Sequence, residues 1–266
     1  MAATKQMCVL LAVLGVLTCL SSCRSGASEN TPSSGDAETT CAETTAAEIE
    51  AEPNTTPFTN PVSHFQAPDP FMTYDKETGY YYLLFTLGDR LELYRCRQAA
   101  DITMRGESKV IYYANGPRDG IYGDIWAPEM HKGSDGKWYI YTSGRMTQGA
   151  GEKRLFIVRA LTDDPFGEWE FVRMPTPGIF SIDPTVYTAP DGVQYVCYSR
   201  VDPKDGQVLD ICKMSSPFFF DSKKVTIAKA ELEWELDPPT IGSKAIVEGA
   251  FFLEHNGRLF LIYSAN

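Results

Sequence analysis

From Phe58 onward, apolar and polar residues alternate in short runs rich in Tyr, Phe, Val and Ile, broken by Gly, Asp, Asn and Pro, and no long stretch has a helical period. This is an all-β pattern, and one unit of it recurs four times. Asp69-Pro-Phe-Met-Thr-Tyr runs through a turn at Gly79 into Tyr80-Tyr-Tyr-Leu-Leu-Phe-Thr86. Ala127-Pro-Glu-Met-His-Lys leads past Gly136 to Lys137-Trp-Tyr-Ile-Tyr-Thr-Ser143, and Asp183-Pro-Thr-Val-Tyr-Thr past Gly192 to Val193-Gln-Tyr-Val-Cys-Tyr-Ser199. The fourth copy is Glu248-Gly-Ala-Phe-Phe-Leu, Gly257, then Arg258-Leu-Phe-Leu-Ile-Tyr-Ser264. Each copy reads as two strands joined by a turn in which Gly supplies an inexpensive positive φ. The turn glycines recur at intervals of 57, 56 and 65 residues, room for a four-stranded sheet per unit. Leu91 to Cys96, Arg154 to Leu161 and Val208 to Met214 are the expected third strands. The pattern predicts a β-propeller with about four blades in this chain.

Upstream the pattern changes. An apolar stretch from Val9 to Leu20 follows a start whose only charge is Lys5, and is too short to span a bilayer as a mature helix. It reads as an export signal over residues 1–23. Leu20-Ser21-Ser22-Cys23 resembles a lipobox, which makes Cys23 the expected lipidation site and Cys19 the weaker choice. The expected location is extracytoplasmic, with the protein held to a bacterial membrane by that lipid alone. Residues 24–57 contain no aromatic residue and one large aliphatic, Ile49, and so cannot bury enough apolar surface to fold. They are expected to form a disordered acidic tether ahead of a catalytic domain over residues 58–266.

Composition sharpens this only in part. The net charge of −11 leaves no basic footprint for nucleic acid, and the tether supplies about half of it. Of the seven Cys, Cys8, Cys19 and Cys23 fall in the signal and Cys41 in the tether, while Cys96, Cys197 and Cys212 fall on strands. No spacing among them fits zinc. Buried free thiols are expected for the last three, with a Cys197–Cys212 disulfide as the alternative an oxidising compartment allows.

The chemistry enters through one register. In a propeller the first strand of each blade lines the central channel, so the leading position of each unit points into one funnel. Those positions hold Asp69, Ala127, Asp183 and Glu248. A carboxylate at a strand start is ordinarily a turn residue, but three in one register are expected to converge. Confined together they cannot all ionise easily, so one keeps a proton while another stays anionic. Glycosidic cleavage uses such a pair, one acid to protonate the leaving oxygen and one base to activate water.

The segments Ala67-Pro68-Asp69-Pro70, Trp126-Ala127-Pro128-Glu129, Ser181-Ile182-Asp183-Pro184 and Glu248-Gly249 resemble, in order and spacing, the successive blade motifs of glycoside hydrolase family 43. The resemblance covers nearly all of Phe58 to Asn266. It implies a five-bladed propeller and inverting hydrolysis of arabinose- or xylose-containing oligo- and polysaccharides, with α-L-arabinofuranosidase slightly favoured over β-xylosidase and arabinanase. It further implies Asp69 as general base, Glu248 as general acid, and Asp183 as the group that orients Glu248 and raises its pKa. No cofactor is required, and a structural Ca²⁺ on the propeller axis, held in family members through a His in later blades, is left open. The protein is expected to be a monomer.

Trp126 is placed either to stack on a sugar or to close the gap between blades. His64 and His131 flank inner strands within reach of sugar, His255 falls in an expected turn, and Glu129 reads as a structural hydrogen-bonding group. A β-fructosidase would have an Arg where this chain has Ile182, and a sugar-binding propeller without catalysis would be expected to have lost an acid. Asn266 follows directly on the fourth hairpin, so the remainder of that blade and a fifth are expected beyond it, and the chain alone is expected to be poorly stable or inactive.

Overall fold

The alternation seen in the sequence sorts side chains between the two faces of each sheet. A computed structural model of the chain describes residues 60, 62–148, 151–176, 178–236 and 245–265. The expected signal, Cys23 and the whole of the expected tether lie outside the described residues. Sheet 1 is β1 (Phe71–Asp75), β2 (Tyr80–Leu84), β3 (Arg90–Cys96) and β4 (Glu107–Tyr113), and sheet 2 is β5 (Trp126–Lys132), β6 (Trp138–Arg145), β7 (Lys153–Ala160) and β8 (Trp169–Arg173). Sheet 3 is β9 (Ser181–Thr188), β10 (Gln194–Asp202), β11 (Gly206–Ser216) and β12 (Phe219–Lys229), and sheet 4 pairs β13 (Val247–His255) with β14 (Arg258–Ala265). Within every sheet, neighbours in the chain are antiparallel neighbours in space. The expected third strands appear as β3, β7 and β11. A single helical turn, α1 (Gly116–Asp119), stands between sheets 1 and 2.

The sheets stack face to face in chain order. In β6, Trp138 and Ile140 join Tyr82, Leu84 and Leu93 in the core between sheets 1 and 2. The intervening Tyr139 and Tyr141 enter the core between sheets 2 and 3 with Val196 and Tyr198. In β10 the next residue over, Cys197, turns to the opposite face and packs with Val247, Leu261 and Tyr263 of sheet 4. This is the two-residue period of a strand buried on both faces, and each large side chain removed from water contributes about 1.5–3 kcal/mol. The same alternation decides the cysteines. Cys212 pairs with Val196 across β10 and β11, so it lies on the face opposite Cys197, and Cys96, Cys197 and Cys212 are all free thiols.

The first strand of each sheet is an edge strand, and β1, β5, β9 and β13 pack against one another in series. A cavity of about 430 Å³ is lined from all four, by Phe71, His131, Thr185 and Phe251 among others. Among the described residues no helix is long and apolar enough to cross a membrane.

Candidate active site

One backbone device repeats at the inner edge. The main chain is left-handed at Asp69 (φ 51°), Ala127 (φ 44°), Asp183 (φ 53°) and Gly249 (φ 64°), a region costly for any residue with a Cβ. In β5, β9 and β13 the pairing slips at this point, with two residues opposite one on the next strand. The preceding residues, Trp126, Ile182 and Glu248, pair with Ser143, Ser199 and Ser264, and the Pro68 carbonyl likewise accepts from the Thr86 amide at 2.9 Å.

This corrects the expected register. Glu248 does not share the position of Asp69, Ala127 and Asp183. Gly249 does, and Glu248 stands one residue earlier, in line with Pro68, Trp126 and Ile182. The cause is turn length. His255 pairs directly with Arg258, leaving the two-residue turn Asn256-Gly257, whereas Lys132 to Trp138 and Thr188 to Gln194 enclose five residues each. A count back from the turn glycine therefore overshoots in the fourth hairpin. His255 is corrected with it, being the last residue of β13 rather than part of the turn.

The carboxylates nonetheless meet. Asp69 is exposed, and its Oδ2 accepts from Thr86 Oγ1 at 2.7 Å. That hydroxyl in turn accepts from the Ala127 amide at 2.8 Å, which ties sheet 1 to sheet 2. Asp183 is half-buried, and its Oδ2 accepts from the Gly249 amide at 2.9 Å, which ties sheet 3 to the residue following Glu248. Burial, then the charge of Glu248, push the Asp183 carboxyl up to about 7, with smaller contributions from Asp69 and Glu129. The Gly249 amide pulls the other way but is outweighed. Asp183 thus keeps its proton toward neutrality because it is withdrawn from water and faces like charges.

Around this cluster the other expected residues take different places. Trp126 is 38% exposed and so is not a core residue closing a gap. Its carbonyl accepts from Thr142 Oγ1 at 2.6 Å, and Lys153 Nζ lies 3.3 Å from the centre of its ring. His64 is exposed ahead of β1. Glu129 binds His131 Nε2 at 2.8 Å, and His131 packs 5.1 Å from the Phe71 ring. Glu129 therefore does form the hydrogen bond read from sequence, and its charge also reaches Asp183. Sequence reasoning missed Thr86, Lys153 and Asp124. The one signal for Thr86 was its place at the end of the repeated hairpin. Among the described residues no group of three or more His, Cys, Asp or Glu could hold a metal ion.

Sheets of one repeated design, with carboxylates gathered where their first strands meet, define an all-β protein. The model of glycosyl hydrolases family 43 matches residues 58–266, and the chain belongs to that family. It is 31% identical over 223 residues to an extracellular exo-alpha-(1->5)-L-arabinofuranosidase of Streptomyces chartreusis, spanning 81% of this chain and 65% of that protein. A protein of the same description from Streptomyces avermitilis is 31% identical over 224 residues, spanning 81% of this chain and 44% of the relative. The crystal structure of alpha-L-arabinofuranosidase from Lactobacillus brevis superposes with a TM-score of 0.69 at 27% identity, covering 79% of this chain and 66% of that one.

Proposed function

We propose that the protein hydrolyses O-glycosidic bonds in arabinose-containing oligo- or polysaccharides, as an α-L-arabinofuranosidase acting with inversion. The observation that carries this is the meeting of Asp69, Glu248 and a proton-retaining Asp183 at one inner edge. The stacked sheets and the cavity shared by their first strands support reading them as blades of a five-bladed propeller. The names of the two Streptomyces relatives and of the Lactobacillus structure support arabinose over xylose.

In this reading Asp69, fixed by Thr86, draws a proton from water as that water attacks the anomeric carbon. Glu248 delivers a proton to the leaving oxygen on the opposite face of the sugar. Asp183 holds the Gly249 amide and with it the main chain that carries Glu248, and burial beside like charges keeps a proton on Asp183 toward neutrality. Because Asp183 and Glu248 interact, the proton belongs to the pair. The exposed face of Trp126 offers a platform for a sugar ring, and His64 lies on the approach.

The test is hydrolysis of nitrophenyl arabinofuranoside, nitrophenyl xyloside and linear arabinan, with the anomer of the first product read by NMR. Glu248→Gln and Asp69→Asn are each expected to lower kcat about 10²–10⁴-fold without unfolding the protein. Normal turnover in either variant, or a product of retained configuration, overturns the assignment. The extracellular description of both relatives fits a secreted protein, and Cys23 is proposed as its lipid anchor. Cys23→Ala is expected to abolish incorporation of labelled fatty acid in cells.

A further inference from the structure

The ring of Trp126 is held in a way its own packing does not require. Lys153, the first residue of β7, is 7% exposed, and its ammonium sits 3.0 Å from Asp124 Oδ2 and 3.3 Å from the centre of the indole. Asp124 is shared. Its Oδ2 also accepts from Arg145 Nε at 3.1 Å, while Arg145 Nη2 donates to the Tyr122 carbonyl at 2.9 Å. The segment that leads into Trp126 is strapped down on both sides, by Tyr122 N to Arg145 O at 2.7 Å, Arg145 N to Gly123 O at 2.8 Å and Ile125 N to Gly88 O at 2.8 Å. Gly123 (φ 122°) and Asp124 (φ 49°) both carry left-handed backbone, so this path is held by its contacts and not by local preference.

An ammonium this far from water is stable only where charge or π density meets it. Asp124 meets one side of it and the indole the other. A leucine at 153 would fill the same space with no desolvation cost, so packing alone does not explain a lysine there. The cation covers one face of the ring, and the exposure of Trp126 leaves surface elsewhere open. The register places Trp126 in line with Glu248, so the ring stands at the same level of the inner edge as the proposed acid.

We propose that Lys153, aimed by Asp124, is a positioning residue that fixes the Trp126 indole as a one-sided platform for the leaving-group sugar of an oligosaccharide. This rests on the hydrolase reading for its substrate but not for its geometry. A sugar presents its C–H face to an aromatic ring, and a ring already immobilised loses less freedom on binding. The benefit falls on binding of sugars long enough to reach the ring, and not on the proton transfers.

The experiment compares Lys153→Met and Lys153→Arg with the wild-type chain, using Trp126→Phe to isolate the near-ultraviolet circular dichroism of Trp126. Lys153→Met is expected to lose the Trp126 band and to raise KM for arabino-oligosaccharides several-fold while kcat, and turnover of nitrophenyl arabinofuranoside, hold. Lys153→Arg, which keeps a cation able to lie over the ring, is expected to restore both. A Trp126 band that survives in Lys153→Met overturns the proposal, as does a KM that does not move or a kcat that falls alone. Should the wild-type chain hydrolyse none of these sugars, the Trp126 band alone decides the positioning claim, its loss in Lys153→Met sustaining it and its survival overturning it. If Lys153→Met does not fold, a band restored in Lys153→Arg sustains the proposal and a band absent there overturns it.

Discussion

Asp183 and Asp210 stand in the same sheet, on β9 and β11, and are driven in opposite directions. Asp210 is fully buried, and burial alone would raise it. Arg200, Thr226 Oγ1 at 2.7 Å and Lys224 Nζ at 3.1 Å outweigh burial and hold it below the ordinary carboxylate range. Asp183 has one backbone amide and a ring of acids. Depth in the protein therefore does not distinguish a structural carboxylate from a chemical one. The sign of its neighbours does, and only the acid without cations is poised to exchange a proton near neutrality.

The largest expected effect is on the structural acid. Asp210→Ala removes the carboxylate that Lys224 pairs with and leaves Arg200 only Asp202, and is expected to cost about 3–5 kcal/mol in urea unfolding, with kcat of the folded fraction unchanged. Asp183→Asn should do the reverse at pH 8, lowering kcat while leaving stability equal to or above wild type. The sign follows from linkage. A carboxyl raised from 3.8 to about 7 contributes stability that is fully present below its unfolded value and is lost as pH rises through the folded value. Asp210, lowered, contributes stability present above its unfolded value and lost as pH falls. Unfolding free energies at pH 5 and pH 8 should therefore separate the two variants, and parallel curves would erase the contrast.

A smaller effect is expected at Thr86, whose hydroxyl serves both Asp69 and the Ala127 amide. Thr86→Val should cost about 1–2 kcal/mol and lower kcat, since a half-buried amide loses its acceptor. The smallest concerns Glu129. Glu129→Gln removes one like charge from the surroundings of Asp183, and the Asp183 carboxyl should titrate at lower pH by carbon NMR. A midpoint that stays put would show that Glu129 serves only His131.

The strands and their order were legible because period-two alternation and turn glycines are local signals that packing here does not override. The β6 residues Trp138 to Tyr141 serve two cores in strict alternation, and that is visible in the bare sequence. The convergence of Asp69 and Asp183 was legible for the same reason, since they begin equivalent units. Glu248 was legible as an acid but misplaced by one residue, because a two-residue turn changes the count without changing the motif. Lys153 left no trace in the pattern. It opens an ordinary apolar strand, and only folding brings it to Asp124 and Trp126 from a different part of the sheet.

Ala127 carries one more consequence. It holds the same unfavourable main-chain bend as Asp69 and Asp183 while contributing no acid, so the bend belongs to the architecture and not to the reaction. Shape and reactivity are in that sense inherited separately. An acid can be gained or surrendered at any of these seats by a single side-chain exchange with the chain trace preserved, and position 127 is the vacant seat at which an engineer would begin.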